Sequence, residues 1–144
     1  MFISTVEKKE IQIFKYCAGL SGLGIALALF LLYNYYAYEP SRICSVNYLI
    51  NCNAVVKGGS LSTLFGIPVA LYGLTGYLVL LFAAIFKKTK LVFATAAFGF
   101  LFCLRITLLE VFVVKVFCPI CLACQLVMLV LFGLSIYLNF KLKK

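Results

Sequence analysis

The stretch Tyr16–Tyr38, YCAGLSGLGIALALFLLYNYYAY, carries no charged residue. About 20 consecutive apolar residues let a helix cross the hydrocarbon core of a bilayer. This run is too long for the apolar centre of a cleaved signal peptide, and no small-residue cleavage site closes it. It therefore reads as a retained transmembrane helix. Gly19 and Gly22, with Gly24, give it a flat strip for close contact with another helix.

The same pattern recurs along the chain. Apolar segments at about 14–38, 65–86, 91–114 and 118–140 are separated by one long polar stretch, 39–64, and by short cationic clusters. Over the 144 residues the hydrophobic fraction is 65% and the charged fraction 12%. Ordinary globular domains carry about a quarter charged residues. With a mean hydropathy of +1.14, the expected fold is an all-α membrane protein. It is a single domain, a bundle of four transmembrane helices with an extracytoplasmic loop. Within that loop, Val46 to Val56 reads as a short interfacial helix.

The net charge of +9 does not point to nucleic acid, because the cations lie in clusters between apolar runs rather than along a basic face with interleaved aromatics. Lys8, Lys9, Lys15, the cluster at 87–90 and the C-terminal lysines fall on one side of a four-span chain. Only Arg42, Lys57 and Lys115 fall on the other, with Arg105 inside the third span. The positive-inside rule then puts both termini in the cytoplasm and the long loop outside.

Seven cysteines and no histidine leave sulfur as the main chemistry-bearing group. Cys118-Pro119-Ile120-Cys121 is a C-x-x-C motif at the start of the fourth helix. Proline is favoured in the first turn of a helix, and a thiol at a helix N-terminus gains thiolate character from the dipole. Thiolate is the attacking species in disulfide exchange. Cys44 and Cys52 lie in the outer loop on the same side, near Gly58-Gly59, so two pairs share one membrane face and can form a relay. A structural loop disulfide and a four-cysteine zinc site are the alternatives. Cys17 and Cys103 read as small hydrophobes of the core, and Cys124, one turn beyond Cys121, reads as core or as a modifier of the C-x-x-C site. Glu110, a carboxyl inside a span, is a functional candidate by its position alone. Arg105 stands five residues away on another face of the helix and is expected to meet a polar neighbour or cavity.

These residues resemble the prokaryotic members of the vitamin K epoxide reductase family. The likeness rests on the loop pair ending in Cys52-Asn53-Ala54-Val55-Val56 and on Phe65-Gly66-Ile67-Pro68 opening the second helix. It rests also on Glu110-Val111-Phe112-Val113-Val114-Lys115-Val116-Phe117 leading into the C-x-x-C. It covers roughly residues 14 to 140. The DsbB family has the same number of helices and pairs, but in the reverse order.

The resemblance implies a four-helix bundle around a quinone (menaquinone, ubiquinone or a vitamin K-like ring), with no metal. It implies Cys118 and Cys121 as the active-site pair and Cys44 and Cys52 as the shuttle pair. Cys121 would lie beside the quinone, Cys52 would exchange with Cys118, and Cys44 would meet an external thioredoxin-like partner. Phe65, Ser60, Ser62, Glu110, Phe112, Phe117 and Gln125 are the expected quinone neighbours. Family members usually carry Ser or Thr six residues after the second loop cysteine. Here Gly58 holds that place, and Ser60 or Ser62 is expected to take the role. Gln125 stands where the vertebrate enzymes often have Tyr, which favours a plain quinone over an epoxide. Prokaryotic relatives often carry a fused thioredoxin-like domain; with none here, the partner is expected to be a separate extracytoplasmic protein and the location a prokaryotic cell membrane. The competing expectation is a non-enzymatic membrane scaffold or transporter with a structural disulfide or zinc site.

Overall fold

The computed structural model describes residues 2–36 and 63–141. The expected interfacial helix, Cys44, Cys52, Ser60 and Ser62 lie outside the described residues. Among the described residues the fold consists of four helices: α1 (Phe2–Tyr36), α2 (Val69–Ile85), α3 (Thr89–Leu109) and α4 (Pro119–Lys141). Three of them, α1, α3 continued to Val113, and α4, are long and apolar enough to cross a membrane, whereas α2 is a shorter apolar helix of 17 residues.

Each helix packs on its neighbours in the order α1–α2–α3–α4 and back to α1, closing a ring. Neighbours run antiparallel. Gly24 of α1 meets Tyr77 of α2, while Leu31, seven residues further along α1, shares a cluster with Ala70. The main core joins Phe14 and Cys17 of α1 to Tyr77 and Leu80 of α2, Val92 and Ala96 of α3, and Met128 and Leu131 of α4. Phe132 of α4 stacks on Phe93 and Phe100 of α3. In lipid such contacts stabilise by shape and dispersion, because leaving the lipid offers no hydrophobic gain. A second, smaller cluster at the other end of the ring holds Leu31 and Cys118, with Tyr35, Ala70, Ile120 and Cys121 packed on it.

Three expectations change. First, α1 begins at Phe2, so the helix runs on well before the apolar segment read from about residue 14. Lys8, Lys9 and Lys15 do not end a helix, since charged side chains on an exposed helix face leave its backbone bonds intact. Second, Gly19 and Gly22 face open space, and of the three α1 glycines in the expected strip only Gly24 makes a close approach, under the Tyr77 ring. Third, Phe65 does not start α2. Thr63–Leu64 pairs antiparallel with Ile67–Pro68, and Phe65 and Gly66 form the two-residue turn between them. Both turn residues have positive φ, 56° and 81°, as the tightest hairpin turns require. The Tyr72 hydroxyl donates to the Leu64 carbonyl at 3.2 Å and ties this hairpin to α2, which then starts after Pro68.

At the opposite end, α2 closes with Lys87 in the left-handed region. The Lys88 N–H reaches the Ala83 carbonyl, and the Lys87 N–H reaches that of Ala84. This reciprocal pair stops the helix and turns the chain directly into α3, leaving Lys87, Lys88 and Lys90 exposed at the end remote from Cys118.

Candidate functional site

Between α3 and α4 the chain makes a π-turn, Glu110–Val114, capped by Lys115 in the left-handed region. The Glu110 carbonyl receives the N–H groups of both Lys115 and Val116. A π-turn inserts one residue into a helix and rotates the chain beyond it, and such turns gather at functional sites. Here it brings the chain into Val116–Cys118 and starts α4 at Pro119.

Cys118 stands just before α4, and its side chain is fully buried. The Cys121 N–H donates to its Sγ at 3.4 Å, and the Leu122 N–H to its carbonyl at 3.1 Å. The Cys121 thiol also donates to the Cys118 sulfur, and the Ile120 N–H adds to it. These donors, the Cys121 thiol first, pull the Cys118 thiol below its ordinary value against the opposing effect of burial. Of the two thiols of the C-x-x-C, Cys118 is the one whose surrounding donors favour the thiolate.

Cys121 lies one helical turn into α4, on the wall of a cavity of about 80 Å³. All four helices line it. Ala28 and Leu31 come from α1, Ala70, Gly73 and Tyr77 from α2, Phe102, Cys103, Ile106 and Thr107 from α3, and Cys124 joins Cys121 from α4. The polar groups on its wall are largely engaged. The Tyr77 hydroxyl donates to the Cys124 carbonyl at 3.0 Å, and the Thr107 hydroxyl to the Cys103 carbonyl at 2.9 Å. What remains is an apolar chamber with the Cys121 thiol on its wall.

Glu110 is 2% exposed, and its carboxyl hydrogen-bonds with the Cys121 thiol. Its Oε1 has no hydrogen-bond partner among the described residues. Residues 15–136 match the model of the vitamin K epoxide reductase family. The chain belongs to the vitamin K epoxide reductase family. No curated protein matches it. The family is one of membrane oxidoreductases working through thiol and quinone chemistry, and the C-x-x-C of this member opens onto the chamber between the four helices.

The structure distributes the other expected residues of this family member differently. Phe65 is 93% exposed at its hairpin tip, and Phe112 and Phe117 are exposed as well; none of the three lines the chamber. Gln125 is half-buried, outside the chamber lining, with its Oε1 unpaired. Arg105 does not enter a cavity in the bundle; it lies on the exposed face of α3, where a long side chain can carry its charge toward the interface. Cys103, read as core, and Cys124, read as core or as a modifier of the site, sit on the chamber wall. Sequence reasoning missed Ala28, Gly73 and Thr107, because small residues that make room carry no chemical signature. Among the described residues no group of three His, Cys, Asp or Glu side chains is placed to hold a metal.

Proposed function

We propose that the chain is a thiol:quinone oxidoreductase with four membrane spans, α2 being the fourth, and with both termini in the cytoplasm. The observation that carries this reading is the Cys118–Cys121 dithiol opening onto an apolar chamber built by all four helices. A reduced thioredoxin-like protein on the outer side attacks the Cys44–Cys52 disulfide at Cys44, and its second thiol then resolves the mixed disulfide, so the partner leaves oxidised and Cys44 and Cys52 remain as a dithiol. Cys52, released as a thiolate, attacks the Cys118–Cys121 disulfide at Cys118, and Cys121 leaves. The loop disulfide re-forms as Cys44 displaces Cys118, leaving the Cys118–Cys121 dithiol. Its reoxidation sends two electrons and two protons to a quinone in the chamber, and the quinol leaves through the bilayer. The net result supports disulfide formation outside the membrane. Each exchange needs only thiolates and access, so the lack of histidine is no obstacle.

The test is turnover of short-chain menaquinone and ubiquinone analogues by the purified chain with a dithiol as reductant. Catalysed quinol formation is expected; absence of turnover with both quinones would refute the reading. The chamber itself gives a sharper prediction. A Cβ at Gly73 meets nothing within 4 Å, yet Gly73 is on the chamber wall. Gly73→Leu should therefore fold normally and occupy the space a ring would use. Quinone reduction is expected to fall on the order of 100-fold, the discrimination a few misplaced methylenes give a tight apolar site. Alkylation of Cys118, outside the chamber, should proceed at the native rate.

A further inference from the structure

We propose that the Glu110 carboxyl is the proton acceptor for Cys121 when the Cys118–Cys121 pair is oxidised, and that the π-turn is the device that keeps it there. The inference rests on the oxidoreductase reading and assigns Glu110 to the thiol rather than to the ring of the quinone.

The geometry is specific. Glu110 opens the π-turn at the end of α3, and its carboxyl meets the thiol of Cys121 across the junction with α4. The Glu110 carbonyl is held twice, by Lys115 and Val116, so its backbone is pinned on the side facing α4. The residue is almost wholly buried, and one carboxyl oxygen lacks a partner among the described residues. A buried carboxyl with an open acceptor position costs stability, and proteins retain such groups where they are used. The titratable groups that interact with it among the described residues are Cys121 and Cys118 at the head of α4 and Cys103 on its own helix. No cation stands among them, and once the Cys118 sulfur has been engaged by the oxidant the carboxyl is the acceptor left in this cluster for the Cys121 proton.

Atoms and electrons balance in this step. Cys118 enters as a thiolate, its proton having gone to solvent. The proton of Cys121 moves to the Glu110 carboxylate. The Cys118 Sγ–Cys121 Sγ bond forms, and two electrons pass to the quinone. The quinone takes up two protons, one returned by Glu110 and one from solvent, and leaves as quinol. A general base placed in this way accelerates by about 10²–10⁴-fold near neutral pH.

The experiment tracks Cys118–Cys121 disulfide formation in the full, reduced chain, quenched by alkylation and read by peptide mass. Two oxidants are used in parallel, a short-chain quinone and diamide. With the carboxylate as acceptor, the native rate with diamide should stay level from about pH 7 to 9. In Glu110→Gln it should fall on the order of 100-fold at pH 7 and rise about tenfold per pH unit, as hydroxide takes over; Glu110→Asp should restore part of the rate. A native profile that itself rises about tenfold per unit would overturn the proposal without any variant, even if Glu110→Gln failed to fold. So would a Glu110→Gln chain that keeps the native rate, or loses it equally at every pH. If the native chain responds to diamide as described but not to quinone, the oxidoreductase reading falls and the role of Glu110 stands.

Discussion

Cys121→Ala and Cys118→Ala are both expected to reduce quinone turnover to the uncatalysed rate of the dithiol alone, and for different reasons. A single thiol cannot close a disulfide, so neither variant can deliver two electrons to an acceptor in one step. Cys121→Ala removes the thiol that lies on the chamber wall. It also removes the S–H donor that does most to lower Cys118, leaving the N–H groups of residues 120 and 121. Deprotonated Cys118 is favoured by those donors, so its alkylation in the native chain should run through a midpoint lowered from that of an ordinary thiol. In Cys121→Ala that midpoint should move upward, because the largest stabiliser of the thiolate is gone. Cys118→Ala leaves Cys121 in place beside Glu110 and the chamber, but without a partner to resolve it. Such a chain should still take up a thiol-reactive quinone analogue at Cys121, whereas Cys121→Ala should not. Native turnover in either variant would remove the C-x-x-C from the mechanism.

Much of this arrangement was legible in the sequence because it is written in residue types with strong physical signatures. Charge-free runs such as Tyr16–Tyr38 mark helices that belong in lipid, and Cys118-Pro119-Ile120-Cys121 announces both a helix start and thiol chemistry. Glu110 stood out because a carboxyl at membrane depth is costly. The features that escaped are geometric. Hydropathy cannot see that α1 continues through Lys15 and Lys8 to Phe2, giving a helix of about 52 Å at about 1.5 Å per residue. This is far longer than a hydrocarbon core of about 30 Å. Nor does it separate Phe65-Gly66 from α2. Tight hairpin turns usually declare themselves with Asn-Gly or Asp-Gly, and an aromatic residue in the left-handed region is a rare occupant. The π-turn has no sequence signature at all, yet it decides that Glu110 looks at Cys121. The chamber was illegible for the same reason, since it exists where Ala28, Ala70 and Gly73 leave space rather than where any residue reaches into it. Aromatic residues were expected around the quinone on the strength of their chemistry; three of them, Phe65, Phe112 and Phe117, lie on the outside of the ring.

Gly24→Leu is expected to prevent the ring of helices from closing. The Tyr77 ring lies directly against the Gly24 backbone, where a Cβ would overlap its ring carbons. Tyr77 cannot yield. It is 1% exposed, its hydroxyl is held by the Cys124 carbonyl, and its ring forms part of both the main core and the chamber wall. Either α1 moves away from α2 or Tyr77 leaves its site and breaks a hydrogen bond to α4, so one substitution loosens three helices. Overpacking of a tight core costs about 1–3 kcal/mol where neighbours can relax, and here the neighbour is pinned, so the upper end or beyond applies. Gly19→Leu and Gly22→Leu make the control, because a Cβ at either position meets open space. The measurement is thermal unfolding in detergent, read by far-ultraviolet circular dichroism alongside size-exclusion profiles. Loss of the monodisperse species is expected for Gly24→Leu, and a near-native melt for the other two. Recovery in the double variant Gly24→Leu with Tyr77→Ala, relative to Gly24→Leu alone, would trace the defect to this contact, since it removes the ring carbons that the added side chain overlaps. If Gly24→Leu instead melts like the native chain, the close approach of α1 to α2 is not what holds the bundle together, and the chamber between them must be formed in another way.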